Sequence, residues 1–336
     1  MREVTLVGDG PQILYRSKSG GVERLDGAGR LRDALGDRDG VVWVDLMIRS
    51  DEDAAILREV FHFHELTIED CVSPLVDPAR IDDYGEYLFL IIQALSGYDP
   101  QVELEPVEVD FYLGPNYVVS CHRDPIAAIE QFRERCIRDE RTLRGTPDWV
   151  LHGLVDAVID EYLPIVDAVD DTIDGLEEEV LHRPDTALMR RILIAKRNAL
   201  RIRRAAVPQR DVMNRLARGE FPQLVHEGTV VYFRDIYDHL VRIDYLVDAL
   251  RDLADGALNM YLSVVSNRLN EIMKVLTAVG AVFLPGALIA GIYGTNFPET
   301  NVWPPYNSEW GFWVVVAAII GVTLAVLGYM RYRRWI

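Results

Sequence analysis

At 336 residues the chain has room for one or two soluble domains with real cores. Charged residues make up 26% and mean hydropathy is +0.04, which excludes a polytopic membrane protein. The net charge of −18 argues against nucleic acid as a partner and suits a body that draws cations toward it.

Met1-Arg2-Glu3-Val4-Thr5 lacks the basic start and apolar run of a secretory signal, so the expectation is a body that stays in the cytoplasm. Cys71, Cys121 and Cys136 form no close-spaced pair and read as buried free thiols. Residues 41–46 and 87–92 are short runs rich in β-branched and aromatic side chains, expected as buried strands. Residues 107–113 and 117–121 flank Gly114-Pro115-Asn116 and form an expected hairpin. A helix is expected over 51–61, with Ala54, Leu57 and Val60 on one face. A second is expected over 125–138, capped by Asp124. His62 and His64 flank Phe63 and could share a strand face, with a structural role expected for both. The first 140 or so residues therefore read as an α/β domain.

From Asp148 the pattern turns helical. Residues 149–181 are periodic, Pro184-Asp185 breaks them, and a second helix is expected over 186–217. After a turn over 219–228, residues 229–293 read as one very long helix. The 149–181 helix is acidic, with Asp156, Asp160, Asp167, Asp170, Asp171 and Asp174. The 186–217 helix is basic, with Arg190, Arg191, Lys196, Arg197, Arg201, Arg203 and Arg210. An antiparallel pair with attractive faces and two separately solvated faces are both open readings. Glu177-Glu178-Glu179 reads as a solvated stretch.

Residues 275–293 and 310–330 carry no charge, and each is long enough to cross a bilayer core of about 30 Å. Arg268 and Lys274 before the first run and Arg331, Arg333 and Arg334 after the second agree with a positive inside. The connecting segment alone, from Asn296 to about Glu309, would face outward. Asn270, Thr277 and Leu284 recur at intervals of seven on one face of the first span. With Met273 and Asn296 they describe either a narrow conduit or a helix–helix seam. Read alone, Gly294-Thr295-Asn296 is a helix C-cap. No phosphate-cradling glycine loop and no metalloprotease histidine pair occurs, so an enzyme is not expected.

Tyr293-Gly294-Thr295-Asn296-Phe297 at the end of an apolar helix, a short loop, a second apolar helix and a basic tail together resemble the CorA family of divalent-cation channels. The family's hallmark is Tyr-Gly-Met-Asn-Phe. The likeness extends back through Ala290-Gly291-Ile292, Met273-Lys274-Val275-Leu276-Thr277, Asn270-Glu271 and Tyr261-Leu262-Ser263. It also takes in Tyr232-Phe233-Arg234-Asp235-Ile236-Tyr237-Asp238-His239 and Arg80-Ile81-Asp82-Asp83-Tyr84. It covers most of the chain from about Phe61 onward. Thr295 replaces the usual Met, as happens in a branch associated with zinc. Leu284 and Ala287 stand where magnesium-transporting members often have Met and Thr.

The resemblance implies a CorA-like funnel: a cytoplasmic α+β domain over 1–145, long helices over 146–270 and a two-helix transmembrane hairpin over 271–336. It implies a homopentamer in the inner membrane, with both termini cytoplasmic. The first span would line the pore with Asn270, Met273, Thr277, Leu284 and Ala287. Gly294, Thr295 and Asn296 would be the selectivity filter, with Asn296 as a ring of acceptors for hydrated Mg2+. Regulatory Mg2+ would sit between subunits on Asp83 and Asp235, with Asp82 and Asp156 as further candidates. A carrier of Zn2+, Co2+ or Ni2+ on the same fold, and a membrane-anchored sensor or enzyme, are the alternatives.

Overall fold

The computed structural model describes residues 10–17, 21–95, 97–143, 145–182, 184–295 and 309–333. It divides into two units, Met1–Asn259 and Met260–Ile336.

The first unit is built on a seven-stranded sheet. Its strands are β1 (Gln12–Arg16), β2 (Val22–Leu25), β3 (Val41–Met47), β4 (Arg80–Asp83), β5 (Leu88–Leu95), β6 (Pro106–Leu113) and β7 (Tyr117–His122). Their order is β2-β1-β3-β7-β6-β5-β4. All neighbours are antiparallel except β3 and β7, which pair parallel from Val42–Tyr117 to Met47–His122. Every residue of β5 is buried, as are six of the seven in β3. Strands buried on both faces require cover on both faces.

On one face α1 (Ala28–Gly36), α2 (Ala55–Glu59) and α3 (Glu65–Val72) contribute Leu31, Leu57, Ile68 and Cys71. These meet Val42, Val44, Phe89, Ile91, Tyr112 and Cys121 of the sheet. The other face carries α5 (Pro147–Asp160) and α7 (Thr186–Ala217). There the Tyr162 hydroxyl donates to the Gln93 carbonyl at 2.8 Å and accepts from Gln209 at 2.6 Å. Beside it Trp43 meets Phe132 of α4 (Ala127–Arg138) edge-on at 5.4 Å.

Several sequence expectations need correction. His62 and His64 do not lie on a strand. His62 takes a left-handed φ of 56° in the turn between α2 and α3, while His64 caps α3 by accepting from the Leu66 amide at 3.2 Å. The turn sends Phe61 and Phe63 inward, stacked 5.1 Å apart, and Phe63 stacks on Tyr112 at 3.9 Å. The helix expected over 51–61 is only α2, because Asp53 Oδ2 accepts from the Arg49 and Ser50 amides and holds that segment as a turn. Asp124 does not cap α4. Pro125 biases it toward extended backbone, the N-cap is Ile126, and the Asp124 carbonyl pairs with His122 Nδ1.

The long acidic helix is two helices, α5 and α6 (Tyr162–His182), parted at Glu161. Their basic partner α7 does not face them through charge. Arg191–Glu179 at 2.5 Å is the one α6–α7 ion pair among the described residues. Five other basic side chains of α7 turn to α8 (Glu227–Gly294) and to Glu103. Lys196 meets Asp255, Arg203 meets Asp244 and Asp248, Arg210 meets Asp244, and Arg197 and Arg201 share Glu103. What α6 gives α7 is an apolar stripe, Ile165, Val169, Ile173, Leu176 and Val180. Asp148, fully buried at the start of α5, accepts from His226 through its backbone N–H at 2.8 Å and Nδ1 at 3.1 Å.

The second unit holds the rest of α8 and α9 (Glu309–Tyr332). Their most apolar windows are 0% and 6% buried. Phe283, Leu284, Leu288, Phe312 and Trp313 are each about two-thirds or more exposed. A surface this apolar needs lipid or neighbouring chains around it. Gly286 sits where a Cβ would come within 3.2 Å of Ile319 on α9.

Candidate functional site

The helical period places the expected pore residues on one line of α8. Asn270, Met273, Thr277, Leu284 and Ala287 are all exposed. With Gly280, Gly291 and Gly294 they recur at alternating intervals of three and four, the spacing of a seam that packs around an axis. Gly280 on that line is half-buried, as are 278, 281, 282, 285, 289 and 293 off it, and Gly286 is buried. Were copies of the helix to pack along this line, Asn270 and Thr277 would offer oxygens, Gly280, Ala287 and Gly291 would let backbones approach, and Met273 and Leu284 would narrow the gap. Pro285 lacks the N–H that would bond the Ala281 carbonyl, so a backbone acceptor is freed within the apolar stretch.

At its end, the Thr295 hydroxyl donates to the Ile292 carbonyl at 2.6 Å. This satisfies one of the acceptors that a helix C-terminus leaves open. The hydroxyl that replaces the hallmark Met sulfur is thus used on the backbone. Asn296 lies outside the described residues.

In the first unit two helix pairs of side chains converge. Asp156 and Asp160 are four apart on α5, and Asp235 and His239 are four apart on α8. His239 Nδ1 is 4.0 Å from Asp160, and its Nε2 is 4.0 Å from Asp235. Ligand atoms of Asp156, Asp160 and His239 all lie within 4.8 Å of one another. Burial, then the neighbouring Asp160 charge, pushes the Asp156 carboxyl up to about 6. His152 of α5 packs against Trp149, Tyr232 and Phe233, and burial holds its pKa below the ordinary value against the pull of Asp235. Carboxylates plus one imidazole suit a divalent ion, which would relieve the mutual repulsion of the acids. Sequence reasoning had Asp156 and Asp235 but missed Asp160 and His239. The signal was there, as an acid followed four residues later by a ligand on each helix.

Asp82 and Asp83 do not join this group. Asp82 accepts from Arg80 Nε at 3.1 Å, and Arg80 also holds Asp70 and Asp77. Asp83, exposed at the end of β4, accepts from the Gly85 amide at 2.7 Å.

Ser120, His122 and Asp45 also meet, but not as a nucleophile relay. Ser120 Oγ (2.6 Å), His122 Nε2 (3.2 Å) and Arg133 Nη1 (3.0 Å) all bond to the Asp45 carboxylate. The hydroxyl donates to the carboxylate and not to the imidazole, so the three are not arranged as a serine–histidine–acid relay.

Comparison with known proteins bears on all of this. The family model of the CorA-like Mg2+ transporter protein matches residues 38–333. The cobalt/magnesium transport protein CorA of Thermotoga maritima is 35% identical over 83% of this chain and 78% of its own length. The putative metal ion transporter YfjQ of Bacillus subtilis is 32% identical over 87% and 89%. The solved CorA magnesium transporter of Methanocaldococcus jannaschii superposes with a TM-score of 0.82 at 21% identity, covering 97% of this chain and 99% of that one.

Proposed function

Since the chain belongs to the family of CorA-like Mg2+ transporters, and is with them a membrane-embedded divalent-cation transporter and not an enzyme, we propose that it works as a homopentameric Mg2+ channel. In this reading residues 1–145 form the cytoplasmic α+β domain, 146–270 the long-helix region and 271–336 the hairpin in the lipid bilayer of the inner membrane, with both termini cytoplasmic.

The observation that carries the reading is the seam on α8. Asn270 and Thr277, with Gly280, Ala287, Gly291 and Gly294, recur on one line of an apolar helix, and Thr295 and Asn296 follow in the sequence. Lipid gives such a line no purpose, whereas five copies around an axis would turn it into a conduit. Mg2+ surrenders its waters reluctantly, and a ring of Asn296 amide oxygens would bind it through them. Co2+ is the second expected ion, since the Thermotoga relative is described as a transporter of both.

Control follows from the acids. Inward-negative potential favours entry by about 2.3 kcal/mol per elementary charge per 100 mV, so a conduit without a brake would overload the cell. Mg2+ held on Asp235 and Asp156, with Asp160 and His239 beside them and Asp83 and Asp82 contributed by the neighbouring copy, would tie subunits together and close the pore when internal Mg2+ is sufficient.

The test is flux into proteoliposomes, with Mg2+, Co2+, Ni2+ and Zn2+ compared side by side for wild type and Asn296→Ala. Mg2+ flux is expected in wild type and is expected to vanish in an assembled Asn296→Ala protein. Undiminished flux in that variant would overturn the ring.

A further inference from the structure

The apolar surface of the second unit is bounded by cations on one side only. Arg268 and Lys274 precede the uncharged stretch of α8, and Arg331 and Arg333 follow that of α9. Residues 294–309, between the other two ends, hold no Lys or Arg and two acids, Glu299 and Glu309. Two spans joined by so short a segment run antiparallel, since irregular backbone cannot recross lipid. Gly286 fixes their register, because a Cβ there would stand 3.2 Å from Ile319. Lys274 lies twelve residues before that contact on α8, and Arg331 lies twelve residues after it on α9. The helical rise therefore brings both to one level, roughly 18 Å from the contact, where the uncharged stretches end. Arg333 lies about 3 Å and Arg268 about 9 Å further out. These depths belong to the headgroup layer that flanks a hydrocarbon core of about 30 Å.

All four side chains are exposed, and none forms an ion pair among the described residues. That is so in a chain of net charge −18, with Glu271 three residues from both Arg268 and Lys274. Neither cation of α8 belongs to the line through Asn270, Thr277 and Leu284. Lys274 stands one turn before residue 278, on the flank where 278, 282, 285 and 289 are half-buried, and Arg268 stands four turns before 282 on the same flank. On the core side of the cations Val275, Val279, Leu324 and Leu327 are exposed. Tyr329 and Tyr332 are 63% and 84% exposed at the same boundary, where amphipathic rings settle between lipid and water. A free anion or an acidic protein face would use the cations alone. A lipid with an anionic headgroup uses the cations and the apolar surface together.

We propose that this end of the hairpin is a binding site for an anionic phospholipid. Its phosphate is held between Lys274 and Arg331, and its acyl chains lie along Val275, Val279, Leu324 and Leu327. The ammonium and guanidinium groups donate to the phosphate oxygens, and Arg268 and Arg333 meet the outer part of the headgroup. The site rests on the hairpin lying in a bilayer, and it is independent of the pore and of the acids around Asp235.

The full-length protein in nonionic detergent is stripped of lipid and given phosphatidylglycerol or phosphatidylcholine with the same acyl chains. Native mass spectrometry counts the lipid retained. Each cation near an anionic surface is worth about fivefold, so phosphatidylglycerol should be retained at a roughly 25-fold lower concentration. About 0.5 M NaCl should erase most of that difference. Lys274→Gln with Arg331→Gln should abolish the preference, and Lys274→Arg with Arg331→Lys should keep it. Arg38→Gln with Arg190→Gln removes the same charge from the exposed surface of the first unit and should change nothing. Should the Gln pair not assemble, Arg268→Gln with Arg333→Gln, outside the uncharged stretches, repeats the test. Equal retention of the two lipids by wild type, or a preference that survives in both Gln pairs, overturns the proposal. Displacement of the lipid by millimolar inorganic phosphate overturns it too, in favour of a free-anion site. Loss of assembly in the first Gln pair with the preference intact in the second would assign Lys274 and Arg331 to an acidic face of a neighbouring copy, and would equally overturn it.

Discussion

Asp156 is the place where charge, burial and cation binding can be separated in one experiment. Its carboxyl is raised from 3.8 to about 6, chiefly by burial and secondarily by Asp160. A folded-state pKa above the unfolded one means that folding prefers the protonated acid. In the metal-free protein, stability therefore falls as pH rises from the unfolded pKa through about 6, and stays at its lower level above that. Roughly two pKa units correspond to about 3 kcal/mol, which solvent screening of this partly exposed group cuts to roughly 1–1.5 kcal/mol. Asn imitates the protonated form without titrating. Asp156→Asn should thus be more stable than wild type in EDTA above pH 7, and the advantage should shrink as pH falls below 6. Adding millimolar Mg2+ at pH 8 should raise the wild-type melting temperature and reverse the order, because Asn is a poorer ligand. The assay is thermal unfolding by intrinsic fluorescence at a series of pH values, with and without Mg2+. A melting difference that is the same at pH 5 and pH 8 would refute the argument.

Thr295→Ser keeps the hydroxyl bond to the Ile292 carbonyl and should assemble and conduct as wild type, while Thr295→Met, lacking the bond, should still assemble and favour Mg2+ over Co2+ more than wild type in a flux assay; loss of assembly in the Met variant would make the hydroxyl structural. Asp83→Lys with Asp235→Lys should shift inhibition by internal Mg2+ to higher concentration in a flux assay, and an unchanged midpoint would remove these residues from the sensor. Asp244, 19% exposed at its side chain, joins Arg203 and Arg210. Asp244→Ala should lower stability by about 1–2 kcal/mol by chemical unfolding, and more at low salt than at high.

The buried strands were legible because burial on both faces leaves an unmistakable mark. Residues 41–46 fall within β3, 88–92 of the 87–92 run within β5, and the two arms of the hairpin around Gly114-Pro115-Asn116 within β6 and β7. β1 and β2 were not, since Gln12–Arg16 and Val22–Leu25 are short and mix polar with apolar residues, with β2 at the sheet edge and β1 next to it. Phe61-His62-Phe63-His64 has strand alternation, yet a left-handed residue and a helix cap use the same letters. Charge partners were the least legible part. An acidic helix followed by a basic one invites pairing, but sequence order says nothing of which third helix a basic face meets, and Asp244, Asp248 and Asp255 of α8 take Lys196, Arg203 and Arg210. For the acid cluster, Asp156 and Asp235 came from the family resemblance. Asp160 and His239 needed the two helices to be set face to face.

The ion pairs between α7 and α8 have a mechanical side. Positions 196, 203 and 210 ascend as 255, 248 and 244 descend, so the pairs act as teeth along two antiparallel shafts. Each tooth is weak alone, worth less than about 1 kcal/mol at such exposed sites. They share one register, however. A slide of one helical turn, about 5.4 Å, would disengage all of them at once. Small displacements are therefore opposed jointly, and a thrust on the first part of α8, up to about residue 255, is handed to α7 instead of being lost as slip. Salt acts on this coupling as a lubricant, loosening the teeth without unfolding either shaft.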